Sequence, residues 1–190
     1  MSGWRCFVAI PLGHELRRDL AAAVDRWWDR PDCAGLRWTD PEAWHLTLAF
    51  IGDVEPAHVE VWAGAIATAA EPEAAMTLTT GEVGAFPRSA RASVAWYGIA
   101  DPDGSLARLA AAVRRSVRLP ADLQPFRPHV TLARTRVSGH ADLRAWVREA
   151  DAPAGRLEVD SVNLMRSHLG SGPARYEVLS TIRLRGAVHA

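Results

Sequence analysis

Apolar residues recur along this chain with two different periods, and the changes of period mark out its elements. The compact apolar run at 6–11 predicts a buried strand closed by Pro11 and Gly13. From 14 to about 29 the spacing becomes helical: Leu16, Leu20, Val24 and Trp27 form one stripe with charges opposite, and Pro31 stops the element. Residues 36–39 predict a short strand, Asp40-Pro41-Glu42 a turn, and 44–51 a longer strand ended by Gly52-Asp53. Pro56 opens a second helix with Val59, Trp62, Ala63 and Ile66 on its buried side. Paired strands follow at 76–84 and 92–99, then a third helix from 105 to about 117 on the stripe Leu106, Leu109, Ala110 and Val113. Beyond a linker at 120–128 come a strand at 129–134 and a fourth helix at 141–150. Closing strands at 156–165 and 175–184 are separated by the turn Gly170-Ser171-Gly172-Pro173.

Strands and helices interleave without the long apolar runs of a parallel sheet, so the fold class expected is α+β with antiparallel sheets. Two of the strands read almost identically, His45-Leu46-Thr47-Leu48-Ala49 and His129-Val130-Thr131-Leu132-Ala133. Alternation puts His45 and Thr47 on one face with Leu46 and Leu48 on the other, and His129 and Thr131 repeat this against Val130 and Leu132. Two chance matches to this pattern among the chain's histidines would occur roughly once in ten thousand such chains. A pair this far apart is too singular for a solenoid. It suits a bilobal fold within a single domain, 1–190, of two pseudo-symmetric lobes. Each lobe has an antiparallel sheet and flanking helices, and the two polar strand faces line a groove between them.

The chain has 190 residues, 48% of them hydrophobic and 23% charged, which is enough for a full core. Its formal net charge is zero, so no broad basic field exists to hold a polyanion, and any phosphate must be gripped locally. All 22 basic residues are arginine, for which genome composition is a sufficient explanation. Two cysteines, Cys6 and Cys33, fit a reduced cytoplasmic protein better than a disulfide scaffold. No cysteine or histidine cluster has metal-site spacing, no cofactor motif is present, and no stretch is long enough to span a bilayer.

Two histidines and two hydroxyls facing one another suit phosphoryl chemistry without a metal. One imidazole can take a proton from water while the other gives one to the departing oxygen. The Thr47 and Thr131 hydroxyls can donate to the non-bridging oxygens, where charge gathers. Arg134 follows the second motif and could clamp a phosphate, although strict alternation puts it on the face opposite His129 unless the strand twists or ends there. His14, His58, His140, His168 and His189 read as surface residues. For the aromatic residues core packing is the default, with Phe7, Phe86 and Phe126 as candidate nucleobase platforms.

The paired His-Leu-Thr-Leu and His-Val-Thr-Leu resemble the signature of the 2H phosphoesterase superfamily. The surroundings resemble its RNA 2′,3′-cyclic phosphodiesterase branch, also called LigT-like or 2′-5′ RNA ligase. They are the opening Arg5-Cys6-Phe7-Val8-Ala9-Ile10, the run 38–52, the loop Gly84-Ala85-Phe86-Pro87, the phrase Pro125-Phe126-Arg127-Pro128 before His129, and the ending at 162–180. The resemblance implies metal-independent action on RNA ends bearing a 2′,3′-cyclic phosphate, with no cofactor. It implies that His45 protonates the leaving 3′ oxygen, that His129 activates water to leave a 2′-phosphate, and that Thr47, Thr131 and Arg134 hold the phosphate. Ligation to a 2′-5′ bond would be the same step reversed. The other readings are a phosphodiesterase for a small cyclic phosphate, such as a cyclic nucleotide or an ADP-ribose cyclic phosphate, and a non-catalytic RNA-end binding module. A cytoplasmic monomer is expected.

Overall fold

The computed structural model describes residues 3–120, 124–136, 139–168 and 174–187. Its strands are β1 (Trp4–Pro11), β2 (Leu36–Trp38), β3 (His45–Val54), β4 (Met76–Phe86), β5 (Val94–Ala100), β6 (His129–Thr135), β7 (Gly155–Val159), β8 (Ser161–His168) and β9 (Arg175–Arg183). The helices are α1 (His14–Trp28), α2 (Val59–Ala70), α3 (Ser105–Ser116) and α4 (Arg144–Glu149). All strand pairings are antiparallel, in the order β7-β4-β5-β6-β3-β1-β8-β9, with β2 also pairing β6. The fold is thus α+β, with one curled nine-stranded sheet made of two four-stranded blocks and β2 beside β6. The blocks meet at a single registered couple, Leu46 opposite Val130.

The helices cover the apolar side. The stripes Leu16, Leu20, Val24 and Trp27 of α1 and Leu106, Leu109, Ala110 and Val113 of α3 are all buried. α3 packs against β3, α2 against α3 and β9, α1 against β7, and α4 against β4. Each amphipathic stripe therefore closes over the apolar face of a strand. None of the helices among the described residues is long and apolar enough to cross a membrane.

Three local features differ from the sequence expectation. The strand expected at 156–165 is two strands, because Asp160 interrupts it: its carbonyl accepts the Leu184 amide at 2.8 Å and its carboxylate accepts the Ser161 hydroxyl at 2.8 Å. Residues before it alternate in and out, whereas Ser161 to Leu164 are buried in succession, so β7 borders one block and β8 lies inside the other. The helix expected at 141–150 is only α4, because Ala141 is taken up in a bridge to Ala92 and the Asp142 carboxylate accepts the Arg144 amide at 3.1 Å. Gly52 does not end its strand. With φ at +87° it carries β3 across a bulge to Val54, pairing with Cys6 while Phe50 pairs with Phe7. The turn expected at 170–173 lies outside the described residues, as do positions 121–123 of the linker.

Candidate active site

The couple Leu46–Val130 fixes the geometry of both motifs. An antiparallel pair has a local two-fold axis through each facing couple, so this register relates His45 to His129 and Thr47 to Thr131. Extended by one residue each way, it sets His45 opposite Thr131 and Thr47 opposite His129. The two histidines are then diagonal neighbours, whose backbones such pairing spaces about 7–8 Å apart.

The symmetry extends to the flanking pairings. Pro11, Ala9, Val8 and Phe7 of β1 face His45, Thr47, Ala49 and Phe50, while Gly98, Trp96, Ala95 and Val94 of β5 face His129, Thr131, Ala133 and Arg134. Both ladders skip one residue at the same place, Leu48 in β3 and Leu132 in β6. Each skip is a β-bulge, which reverses the alternation beyond it. Leu48-Ala49 and Leu132-Ala133 are consequently buried as adjacent pairs. Phe50 and Arg134 emerge on the same side as the histidines, and both line the groove. The bulge thereby removes the conflict that strict alternation posed for Arg134.

Each imidazole is oriented in the same way. The His45 ring bonds through Nδ1 to the Ala43 carbonyl at 2.8 Å, and the His129 ring through Nδ1 to the Arg127 carbonyl at 2.7 Å. A carbonyl oxygen only accepts, so Nδ1 carries the proton in both rings and Nε2 is the nitrogen available to a substrate. Aromatic rings wedge each histidine. Phe7 and Tyr176 lie 4.9 and 5.1 Å from the His45 ring, and Phe86 and Trp96 lie 4.9 and 6.4 Å from that of His129. Trp96 can lie there because Gly84 opposite has no side chain: a Cβ on Gly84 would stand 2.1 Å from the indole.

Burial holds the His45 imidazole below its ordinary range; the Ala43 carbonyl works against this, and the charge of His129 adds to it. Burial likewise lowers His129, the Arg127 carbonyl opposes, and the cations Arg134 and Arg127 lower it further. Thr39, just beyond β2, fastens the site from behind. Its hydroxyl proton is shared between the carbonyls of Leu132 at 2.7 Å and Thr131 at 3.1 Å, and its oxygen accepts the Trp44 indole N–H at 2.9 Å.

His45, Thr47, His129, Thr131 and Arg134 all line one groove of about 640 Å³. Its charged lining residues among those described are Arg5, Arg114 and Arg134, with no carboxylate. A chain of zero net charge thus gathers three cations in this groove. Phe7 and Phe86 are spent on the histidine rings, Phe126 lines the groove half-buried, and Phe50, which the sequence reading did not single out, stands 68% exposed in it. His14, His58, His140 and His168 are exposed, the last bonded to Glu177 at 2.9 Å, and His189 is outside the described residues. Both cysteines are free and buried, and burial raises both thiols, that of Cys33 to about 12. No group of three His, Cys, Asp or Glu among the described residues is placed to hold a metal ion.

A curled antiparallel sheet that presents two symmetry-related His-x-Thr strands across one groove defines a 2H phosphoesterase. The chain belongs to the 2′-5′ RNA ligase superfamily, to which its residues 14–171 match. It is 32% identical over 156 residues to the RNA 2′,3′-cyclic phosphodiesterase of Aeropyrum pernix, covering 78% of this chain and 86% of that protein. It is 29% identical over 187 residues to the protein of the same name from Geobacillus stearothermophilus, covering 95% of this chain but only 57% of that longer protein. The crystal structure of E. coli LigT complexed with 3′-AMP superimposes with a TM-score of 0.72 at 26% identity, over 96% of this chain and 99% of that one.

Proposed function

We propose that this protein hydrolyses RNA 2′,3′-cyclic phosphate ends to 2′-phosphates without a metal, using His45 as general acid and His129 as general base. The observation that carries this reading is the matched orientation of the two imidazoles, each with Nδ1 committed to the carbonyl two residues earlier and Nε2 free for proton transfer. The names of the relatives and the nucleotide bound to E. coli LigT supply the substrate class.

In the step proposed, His129 Nε2 takes a proton from water as the water oxygen bonds to phosphorus. The bond from phosphorus to the ribose 3′ oxygen breaks, and the proton on His45 Nε2 passes to that oxygen. The Thr47 and Thr131 hydroxyls and the Arg134 guanidinium stabilise charge on the non-bridging oxygens. Exchange with solvent then returns the pair to its starting protonation. Replacing water by the 5′-hydroxyl of a second RNA runs the same step with a different nucleophile, its proton going to His129 as the 3′ oxygen leaves, and forms a 2′-5′ bond.

Turnover of a short RNA ending in a 2′,3′-cyclic phosphate, after exhaustive treatment with EDTA, tests this reading. Full activity is expected. Loss of activity that added metal restores would make the histidines ligands instead, and turnover of small cyclic nucleotides alone would move the substrate class.

A further inference from the structure

Beyond Arg134 the sheet carries a second arginine with the same aspect. Arg37 of β2 is in register with Arg134 of β6, and cross-strand partners project from the same side of a sheet. Like charges directly opposite one another are unfavourable, and nothing in the register relieves them. On its other flank Arg134 faces Val94, and the chain neighbours are Leu36 and Trp38 for Arg37 and Ala133 and Thr135 for Arg134. Both arginines are exposed, and among the described residues neither has a hydrogen-bond or ion-pair partner. Some other arginines are paired with carboxylates, as in Arg17–Glu42, Arg30–Asp32 and Arg144–Asp142, and these two are not. Two arginines side by side in register without a carboxylate suit an anion.

Position says which anion. β2 pairs with β6 beyond the single couple that β6 makes with β3, so Arg37 stands beside Arg134, just outside the groove's own lining. Thr39, two residues on, lines the groove itself. We propose that Arg37 extends the grip of Arg134 on the reacting phosphate by a second phosphate site of its own, taking the neighbouring phosphate of an RNA strand whose cyclic end lies between the histidines. The inference rests on the reading of the groove given above, and it makes the protein selective for chain ends over mononucleotides.

Titrations with a trinucleotide ending in a 2′-phosphate and with a nucleoside 2′-phosphate, at low and moderate salt, test this in the wild type, Arg37→Ala and Arg37→Lys. The wild type should bind the trinucleotide roughly tenfold more tightly than the nucleotide, as one charge-assisted contact allows. Arg37→Ala should abolish that advantage and reduce the log–log salt slope for the trinucleotide by about 0.7, the single-strand value for one phosphate. Arg37→Lys should keep the slope. An unchanged advantage in Arg37→Ala, or an equal loss with both ligands, would overturn the second site. Turnover of a cyclic-ended trinucleotide, measured alongside, separates the two claims. Normal turnover without the Arg37-dependent advantage refutes only the second site, whereas the advantage without turnover refutes only the hydrolase.

Discussion

Phe50 and Arg134 occupy equivalent places in the two halves of the sheet, each three residues beyond its motif threonine and each turned into the groove by a one-residue bulge. The histidines and threonines obey the two-fold relation, and these two positions break it. At these equivalent positions one half offers an aromatic ring and the other a cation, which gives an otherwise symmetric pair a direction. In the reading proposed, a ribose and base take the Phe50 end and the anionic oxygens of the phosphate the Arg134 end. This supports placing the ribose oxygen beside His45 and the water beside His129.

Phe50→Ala should weaken binding of a cyclic-ended RNA by roughly tenfold, the scale of one base stacked on an aromatic ring. Phe50→Trp should preserve binding. Because the ring touches no reacting atom, the loss should appear in KM with kcat little changed, and steady-state kinetics on the three proteins resolve it. A change confined to kcat would remove Phe50 from base recognition.

His45→Ala and His129→Ala should each lower kcat by about 10²- to 10⁴-fold while the melting temperature stays near wild type, since both rings line the groove. The double variant should be little worse than either single variant, because acid and base act as one unit. Additive losses would show two independent contributions.

Both imidazoles lie below their ordinary range, so the bell-shaped profile of kcat/KM, which reports the free enzyme, should centre on the acid side of about pH 6.5. Its acid limb is protonation of His129 and its alkaline limb deprotonation of His45. A bound phosphodiester anion favours the charged imidazole, so the profile of kcat should lie at higher pH than that of kcat/KM. Stability carries the same sign. Below about pH 6.5 the unfolded chain binds more protons than the folded one, so urea unfolding should show stability falling with pH until the folded imidazoles also protonate. The dependence should be smaller in His129→Gln.

Gly84→Ala should destabilise the protein by about 1–3 kcal/mol through overpacking against Trp96. The displaced indole lies behind His129, and a shift of that ring by an ångström can cost up to roughly a hundredfold in rate. Comparing melting temperature with kcat at a temperature where the variant remains folded separates the two effects.

Much of this arrangement is legible in the sequence because it follows from periodicity. The stripes of α1 and α3 and the two-faced motif strands need only the spacings 3.6 and 2, while their shared groove is suggested by the duplicated motif. What the sequence does not announce are the interruptions. The bulges that bring in Phe50 and Arg134 leave only a faint trace, the adjacent apolar pairs Leu48-Ala49 and Leu132-Ala133 where alternation would set a polar residue. Asp160 divides one apparent strand between two distant places in the sheet, a long-range pairing that local pattern does not encode. Thr39 and Tyr176 meet the site only through tertiary contacts, to the Leu132 carbonyl and the His45 ring, and no spacing in the chain points to them.

The bond that breaks in the cyclic phosphate tests the assigned roles most directly. Digesting a short RNA that ends in a 2′,3′-cyclic phosphate and resolving the products by phosphorus NMR distinguishes the two monophosphates. With His45 beside the 3′ oxygen and water activated by His129, a 2′-phosphate is the sole product. A 3′-phosphate, or a mixture of the two, would contradict the placement of the ribose at the Phe50 end and the division of labour between the two histidines.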